Sequence, residues 1–293
     1  MTLEQLRVFL AVAERQHVTR AAEALNLSQS AVSAQIAGLE ARHGVKLFHR
    51  VGRGIELTEA GVLFHKEAQA VLARAEAAEL VLSELGGLSR GTLTVAASQT
   101  IASYWLARHL VAFRRVYAGV DVKLVIGNSS QVASFVKDGT SELGFVEGHI
   151  EEPTLVVRPI ARDQMIVVVG LEHPWSKRKR VAFDDLYDTE WVFREPGSGT
   201  RSEFEEALRA KGVDLARLRV ALELPSNDAV RSAVEAGLGA AALSATVVAA
   251  GIEAGLLHAV GIELPDREFY VLRHAERYQS KAGEALLSVV ASR

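Results

Sequence analysis

Every proline in the 293-residue chain lies at Pro153 or beyond. The first 152 residues are therefore free of the strongest helix breaker, and their apolar residues recur at helical spacing. Leu3, Leu6, Leu10 and Ala13, with Phe9 beside them, give a first helix one apolar stripe. Ala21, Ala22 and Leu25 do the same for a shorter helix that Thr19 is placed to cap. Asn26-Leu27 makes a tight break, and Ser28 suits the cap of a third helix that buries Val32, Ile36 and Leu39.

Opposite that buried stripe the third helix carries Ser30, Ser33, Ala34, Ala37 and Ala41, with Gln29 at its leading end. None is bulky or acidic. Small side chains let a backbone press into a groove, and Ser and Gln bond to base edges or phosphate oxygens. Lys46 to Arg50, the turn Val51-Gly52-Arg53-Gly54 and Ile55 to Leu57 then read as a hairpin with basic residues. Two helices, a recognition helix and a basic wing make a winged helix-turn-helix for double-stranded DNA. Gln29, Ser30, Ser33 and Thr19 are expected at the groove and its flanks, and Arg50 and Arg53 at backbone phosphate. Residues 1 to 58 hold seven Lys/Arg against five Asp/Glu in a chain of formal charge -3, a modest asymmetry in the same direction.

Thr58 is set to cap a long helix from Glu59 to about Leu85. Along it Phe64, Ala68, Val71, Ala75, Ala78, Leu82 and Leu85 alternate at spacings of four and three, a heptad seam that asks for a partner helix. At 1.5 Å per residue this helix runs roughly 40 Å, enough to hold two DNA-reading units apart. Homodimerisation through it is the expectation. Gly86-Gly87 and Gly91 end the helix and open a linker.

Beyond the linker, β-branched runs alternate with helices: 92–97, 120–126, 142–146, 155–158, 165–169, 191–194 and 219–224. Strand and helix in repeated turn imply α/β domains with mostly parallel sheets. Ser98-Gln99-Thr100, Asn128-Ser129-Ser130, Gly197-Ser198-Gly199-Thr200-Arg201 and Ser226-Asn227-Asp228 follow strands at the start of helices. Helix amino termini attract anions, hydroxyls add donors, and the carboxyl ends of strands are where open sheets take ligands. A small-molecule cleft is expected there, with Ser98, Thr100, Ser129 and Thr200 lining it.

Other motifs carry less. Gly197 to Thr200 lacks the lysine of a phosphate loop. Gly237-Leu238-Gly239 reads as a helix stop entering a buried strand, and Lys177 to Arg180 as a solvated basic loop. Histidines lack ligand spacing, and with no cysteine no thiolate metal site or disulfide forms, so no metal or cofactor is expected. No nucleophile, base and orienter arrangement is visible, which speaks against an enzyme. The amino terminus does not read as a secretory leader and Leu238 to Ile252 is too short to span a bilayer, so a cytoplasmic protein without membrane contact is expected.

These features together resemble the LysR-type transcriptional regulators along essentially the whole chain. LEQLRVFLAVAE, TRAAEALNLSQSAVSAQIAGLEARHGVKLFHR and IELTEAG, within the first 61 residues, are the specific part. Ala34 departs from the arginine many members carry after the serine. The resemblance implies a DNA-binding domain over 1–58, a dimerising linker helix over 59–87, and an effector domain over 92–293 similar to type II periplasmic binding proteins. Its lobes are assigned to about 92–161 with 267–293, and to about 162–266. Homotetramers of two dimers are implied as well. GNSSQV, GFVEG and REPGSGTR are similar to regulators of sulfur and carbon assimilation, the YeiE, CysL and CbbR types. On that footing the leading ligand is a small oxyanion such as sulfite, bound by Ser98, Gln99, Thr100, Asn128, Ser129, Gly197, Ser198 and Thr200 with Arg201 near, and with Glu147 on the same loop set. The alternative is a solute-binding protein carrying an amino-terminal extension. Arg53→Ala should weaken binding to every duplex sequence and lower the slope of log affinity against log salt by about 0.9; an unchanged slope would remove Arg53 from the phosphate contacts.

Overall fold

The computed structural model describes residues 1–52, 54–85, 91–178 and 180–291. Arg53, Gly86-Gly87 and Lys179 lie outside the described residues. The chain divides into two compact units that meet in sequence at Gly86 and Gly87.

The first unit opens with α1 (Leu3–Arg15), where Thr2 and Gln5 bond reciprocally across the first turn. Gln16 ends it in the left-handed conformation, and α2 (Val18–Leu25) follows with His17 at its cap position and no side-chain cap. Thr19 is therefore a half-buried residue inside the helix rather than its cap, because the helix starts one residue before it. Asn26, at φ 54°, makes the break expected of it. Ser28 accepts from Ala31 N at 3.2 Å and starts α3 (Gln29–His43).

Val8, Val12, Ala21, Ala22 and Val32 close the core between these helices, and a second cluster gathers Leu6, Phe9, Leu39 and Leu47. Phe9 is fully buried, 5.3 Å from Phe48 and 4.9 Å from Phe64 between ring centres. Burial of a side chain this size contributes roughly 1.5–3 kcal/mol. The wing is a two-stranded antiparallel pair, β1 (Phe48–Val51) and β2 (Gly54–Leu57), with Gly52 at φ 59° in its turn.

Glu40 ties recognition helix to wing. Its side chain is 8% exposed, receives the N–H groups of Leu47 and Phe48 at 2.9 and 3.3 Å, and holds Lys46 at 2.6 Å. Thr58 caps α4 (Glu59–Leu85) by accepting from Gly61 N, and donates its own proton to the Lys46 carbonyl. Ala68 is buried in the core with Phe64 beside it, so the first two seam positions are spent within the unit. Further along, Val71 is 41% and Leu82 70% exposed.

The second unit contains two five-stranded sheets. The first has the order β4-β3-β5-β12-β6, from β3 (Gly91–Ser98), β4 (Val120–Gly127), β5 (Leu143–Glu147), β6 (Leu155–Asp163) and β12 (Arg267–His274). The second has β11-β7-β10-β8-β9, from β7 (Met165–Gly170), β8 (Glu190–Arg194), β9 (Arg219–Leu224), β10 (Ala240–Ser244) and β11 (Leu257–Val260). Both are mixed: β12 runs antiparallel to β5 and β6, and β7 antiparallel to β10 and β11, because the chain leaves and re-enters each sheet along these strands. The mostly parallel sheets expected from alternation hold only for β3 with β4 and β5, and for β8 with β9 and β10.

On the first sheet, α5 (Ala107–Val116) and α10 (Lys281–Ala291) cover one face through Phe113 and Leu286, while α6 (Ser129–Asp138) covers the other through Val132 and Val136. On the second, α7 (Gly199–Ala210) packs Phe204 against Trp191 and Phe193. The opposite face receives α8 (Asn227–Glu235) and α9 (Ala245–Glu253). No helix among the described residues is long and apolar enough to cross a membrane.

The Glu40 carboxyl is subject to burial, which raises its pKa, but Lys46 and the two backbone N–H groups outweigh that and hold it below the ordinary 4.5. A depressed folded pKa stabilises above the unfolded value, and that stabilisation is lost as pH falls through the folded one. The first unit should therefore lose stability below pH 4.5, checked by urea melts across pH. Glu40→Ala should cost about 2–3 kcal/mol at neutral pH, since two buried N–H groups lose their acceptor, and should flatten the acid slope.

Candidate functional site: a recognition helix and four converging turns

The outer face of α3 is open. Gln29, Ser30, Ser33, Ala34, Ala37 and Ala41 are all exposed, and Arg50 is exposed on β1. Ser30 shares a hydrogen bond with the cap Ser28 at 3.0 Å, which orients the start of that face. The surface is thus narrow and uncharged beside a cationic strand, a shape that enters a groove of DNA without meeting a like charge.

In the second unit each polar turn ends a strand of one sheet or the other, and the fold brings all four together. From the first sheet, Gln99 donates to the Pro225 carbonyl at 3.0 Å and accepts from Asn227 N at 3.1 Å. Asn227 also donates to Thr100 Oγ1 at 2.9 Å. Asn128 reaches Glu195 at 3.3 Å, and Ser130 N donates to the Gly197 carbonyl at 3.1 Å. Ser198 is buried beside them, and Ser98 Oγ accepts from Ile101 N. The lobes are tied across these turns by their own side chains.

Closest approach falls at Gly199. A Cβ there would stand 2.2 Å from the Glu147 carbonyl oxygen and 2.5 Å from Ser129 Oγ, so only glycine fits. Glu147 is buried, and Ser129 donates to its carbonyl oxygen at 2.9 Å. The contact leaves no room for a molecule between Glu147 and the start of α7.

Two guanidinium groups organise the rest. Arg194, 4% exposed, forks onto both oxygens of Glu195 at 2.8 and 2.9 Å and donates to Asn227 Oδ1. Burial acts to raise the Glu195 pKa, yet the Arg194 hydrogen bonds and charge prevail and hold it low. Arg267 lies in the crossover strand β12, opposite Asp163 of β6. Its Nε and Nη2 each lie 2.7 Å from Asp163 Oδ2, and its Nη1 donates to Thr200 Oγ1 at 3.1 Å. Ser244, at the end of β10, donates to the other Asp163 oxygen at 2.8 Å. Neither arginine stood out in the sequence, where a guanidinium at a strand end looks like surface.

Arg201 is not the free cation expected. It pairs with Glu205 at 2.7 Å and Glu223 at 2.8 Å and lies over the Phe193 ring. Burial would lower its pKa, but these carboxylates raise it. The reason is local: one turn of helix carries Glu205 to its side, and the neighbouring strand β9 supplies Glu223. Glu203, one turn into α7, has its carboxyl pKa raised, first by burial and then by Glu206 and Glu147, although Arg267 pulls the other way. Among the described residues no group of three side chains could hold a metal ion.

A regulator that couples a helix-turn-helix to a two-lobed sensing unit is the class this arrangement defines. Family comparison agrees. Residues 3–62 match the bacterial regulatory helix-turn-helix proteins of the lysR family, and residues 86–293 the LysR substrate binding domain. A probable RuBisCO transcriptional regulator of Cyanidioschyzon merolae is 35% identical over 286 residues, covering 96% of this chain and 94% of that protein. Among solved structures, the LysR family transcriptional regulator CbnR superposes with a TM-score of 0.74 at 23% identity, covering 99% of this chain and 98% of that one. The regulatory domain of Synechocystis CcmR, in complex with 2-PG, superposes at 0.63 with 27% identity over 69% of this chain and 97% of that one. The chain belongs to the LysR family: it is a transcriptional regulator with a carboxy-terminal effector-binding domain. The helix-turn-helix match excludes reading the first 62 residues as an extension on a transport protein.

Arg194→Ala would leave the half-buried Glu195 carboxylate without its counter-charge. Urea unfolding of the second unit should show a loss of about 2 kcal/mol, part of it recovered when Glu195→Ala is added; an additive double variant would mean the pair is not coupled.

Proposed function

We propose that α3 lays its small polar edge in the major groove while Arg50 and Arg53 hold the flanking phosphates, and that a small anion at the four turns changes this binding. The DNA contacts of Gln29, Ser30 and Ser33 belong to that reading, with half-buried Thr19 at the flank. The exposed apolar residues of α4, Leu63, Val71 and Leu82, support pairing of two chains along it, and two such pairs would make the tetramer. The protein works in the cytoplasm, where its DNA is.

One observation carries the ligand. Thr100 and Thr200 are buried, and each hydroxyl already accepts a hydrogen bond, from Asn227 and Arg267 respectively. Each therefore retains its proton for an outside acceptor. The first turn of α7, which holds Thr200, adds backbone N–H groups beside it. A ligand rich in oxygen acceptors suits such donors, and its seat is among Gln99, Thr100, Asn128, Ser198 and Thr200, away from Glu147 and Gly199. Because Arg201 is paired, the anion would be held by hydroxyl and amide donors without a free guanidinium. 2-PG, bound by the related CcmR domain, is the first compound to test, and sulfite the second.

Calorimetric titration of the full chain with 2-PG and with sulfite, beside fluorescence anisotropy on a promoter duplex, tests the proposal. We expect saturable binding of one of them, a change of at least about fivefold in duplex affinity, the lower end of the coupling typical of two-site proteins, and at least tenfold weaker binding by Thr200→Val with recovery in Thr200→Ser. Equal affinity in Thr200→Val would remove Thr200 from the ligand site.

A further inference from the structure

We propose that a cavity beside the crossover strands, distinct from the four turns, is a second small-molecule site that takes a flat apolar molecule bearing one carboxylate. The cavity measures about 950 Å3, within the roughly 300–1,000 Å3 that ligand sites span.

Its aromatic wall comes from one unusual turn. Ile101–Leu106 is π-helical and runs directly into α5. Such turns are rare overall and frequent at functional sites; this one delivers Tyr104 and Trp105 to the cavity. Tyr104 is 40% exposed. The half-buried Trp105 ring lies 5.9 Å from Phe269, edge-on, and 4.3 Å from the His109 imidazole. Pro159, Ile160 and Ala161 of β6 form an apolar side facing the same space. A planar ring fits such walls through stacking and edge contacts.

Charge selects the rest of the ligand. Arg108 and Arg162 both line the cavity and both are exposed at its mouth. The carboxylate of Glu268 lies 3.9 Å from Arg162, beyond hydrogen-bond distance. Asp163 also borders the space, but its charge is met by Arg267 at 2.7 Å. His109 has Nδ1 3.0 Å from the Trp105 carbonyl, and burial, assisted by Arg108, holds its pKa below the ordinary value, so it is a neutral ring at pH 7. Glu268 thus pairs loosely with Arg162, Arg108 meets no carboxylate among the described residues, and the single excess positive charge favours an anion over an ammonium.

The site is not the ligand seat proposed above. Asn128, Ser198 and Thr200 do not line it, whereas Thr246 of the second lobe does. Thr100 alone borders both regions, so the two sites are neighbours that share one wall residue.

The probe is 2-naphthoate, with neutral 2-naphthamide as its isostere, titrated into the full chain. Trp175 and Trp191 are 3% and 0% exposed, so quenching of tryptophan emission reports chiefly on Trp105. Saturable quenching with one site per chain by calorimetry is expected. The pair Arg108→Gln with Arg162→Gln should weaken naphthoate about tenfold and leave naphthamide as in the wild type. Ala161→Leu should fill the cavity and abolish saturation, while Thr200→Val should leave naphthoate binding unchanged. Absence of saturation in the millimolar range would overturn the proposal. So would naphthoate binding that ignores the arginine pair, or that is lost in Thr200→Val. If Ala161→Leu does not fold, the arginine pair and Thr200→Val still decide.

Discussion

The ion pair between Asp163 and Arg267 sits where two strands pass from one sheet to the next, and both partners are almost fully buried. An unpaired charge there would be intolerable, so the crossing strands hold their register with both present. Ser244 at the end of β10 and Thr200 at the start of α7 add further hydrogen bonds to the pair. A single charged contact thereby fixes the crossover, orients the Thr200 hydroxyl, and borders the neighbouring cavity. Each sheet of this unit carries an apolar core on either face, and the polar contacts of the four turns run between the two sheets.

A smaller version of the same device operates in the DNA-binding unit. Glu40 is a buried carboxylate whose partners are the backbone of the wing and one lysine, so the recognition helix and wing are referenced to each other through a side chain that faces neither solvent nor DNA. Its neighbours Ala37 and Ala41 are exposed. The face offered to a duplex can therefore stay small and neutral while rigidity is supplied from behind.

The helical part was legible in the sequence because its signals are local. Ser28 and Thr58 cap the helices that follow them, and the apolar spacing of α3 marks its inward side; in α1 it marked Leu6, Phe9 and Ala13, but Leu3 is exposed and Val8 and Val12, off the expected stripe, are fully buried. Thr19 misled because a hydroxyl near a helix start resembles a cap wherever the helix begins. In the second unit small polar residues after strands marked the turns, but their partners could not be seen: Gln99 meets Asn227 from 128 residues away, and Arg201 meets Glu223 across a strand pair. β12 escaped notice because Arg267, Glu268 and Arg273 interrupt it and β11 because it is only four residues long, and both pair antiparallel, so no strand-helix rhythm announces them. Buried arginines and Glu40 read as surface for the same reason: sequence shows a charge and not the charge that answers it.

Gly61 lies one turn into α4, where a Cβ would fall 2.1 Å from the Leu47 carbonyl oxygen, and Thr58 clasps the same segment through the Lys46 carbonyl. Helix and wing are consequently geared together with no slack. Any rotation of α4 about its own axis would therefore have to carry the strand that bears Arg50 along with it, the two moving as one piece.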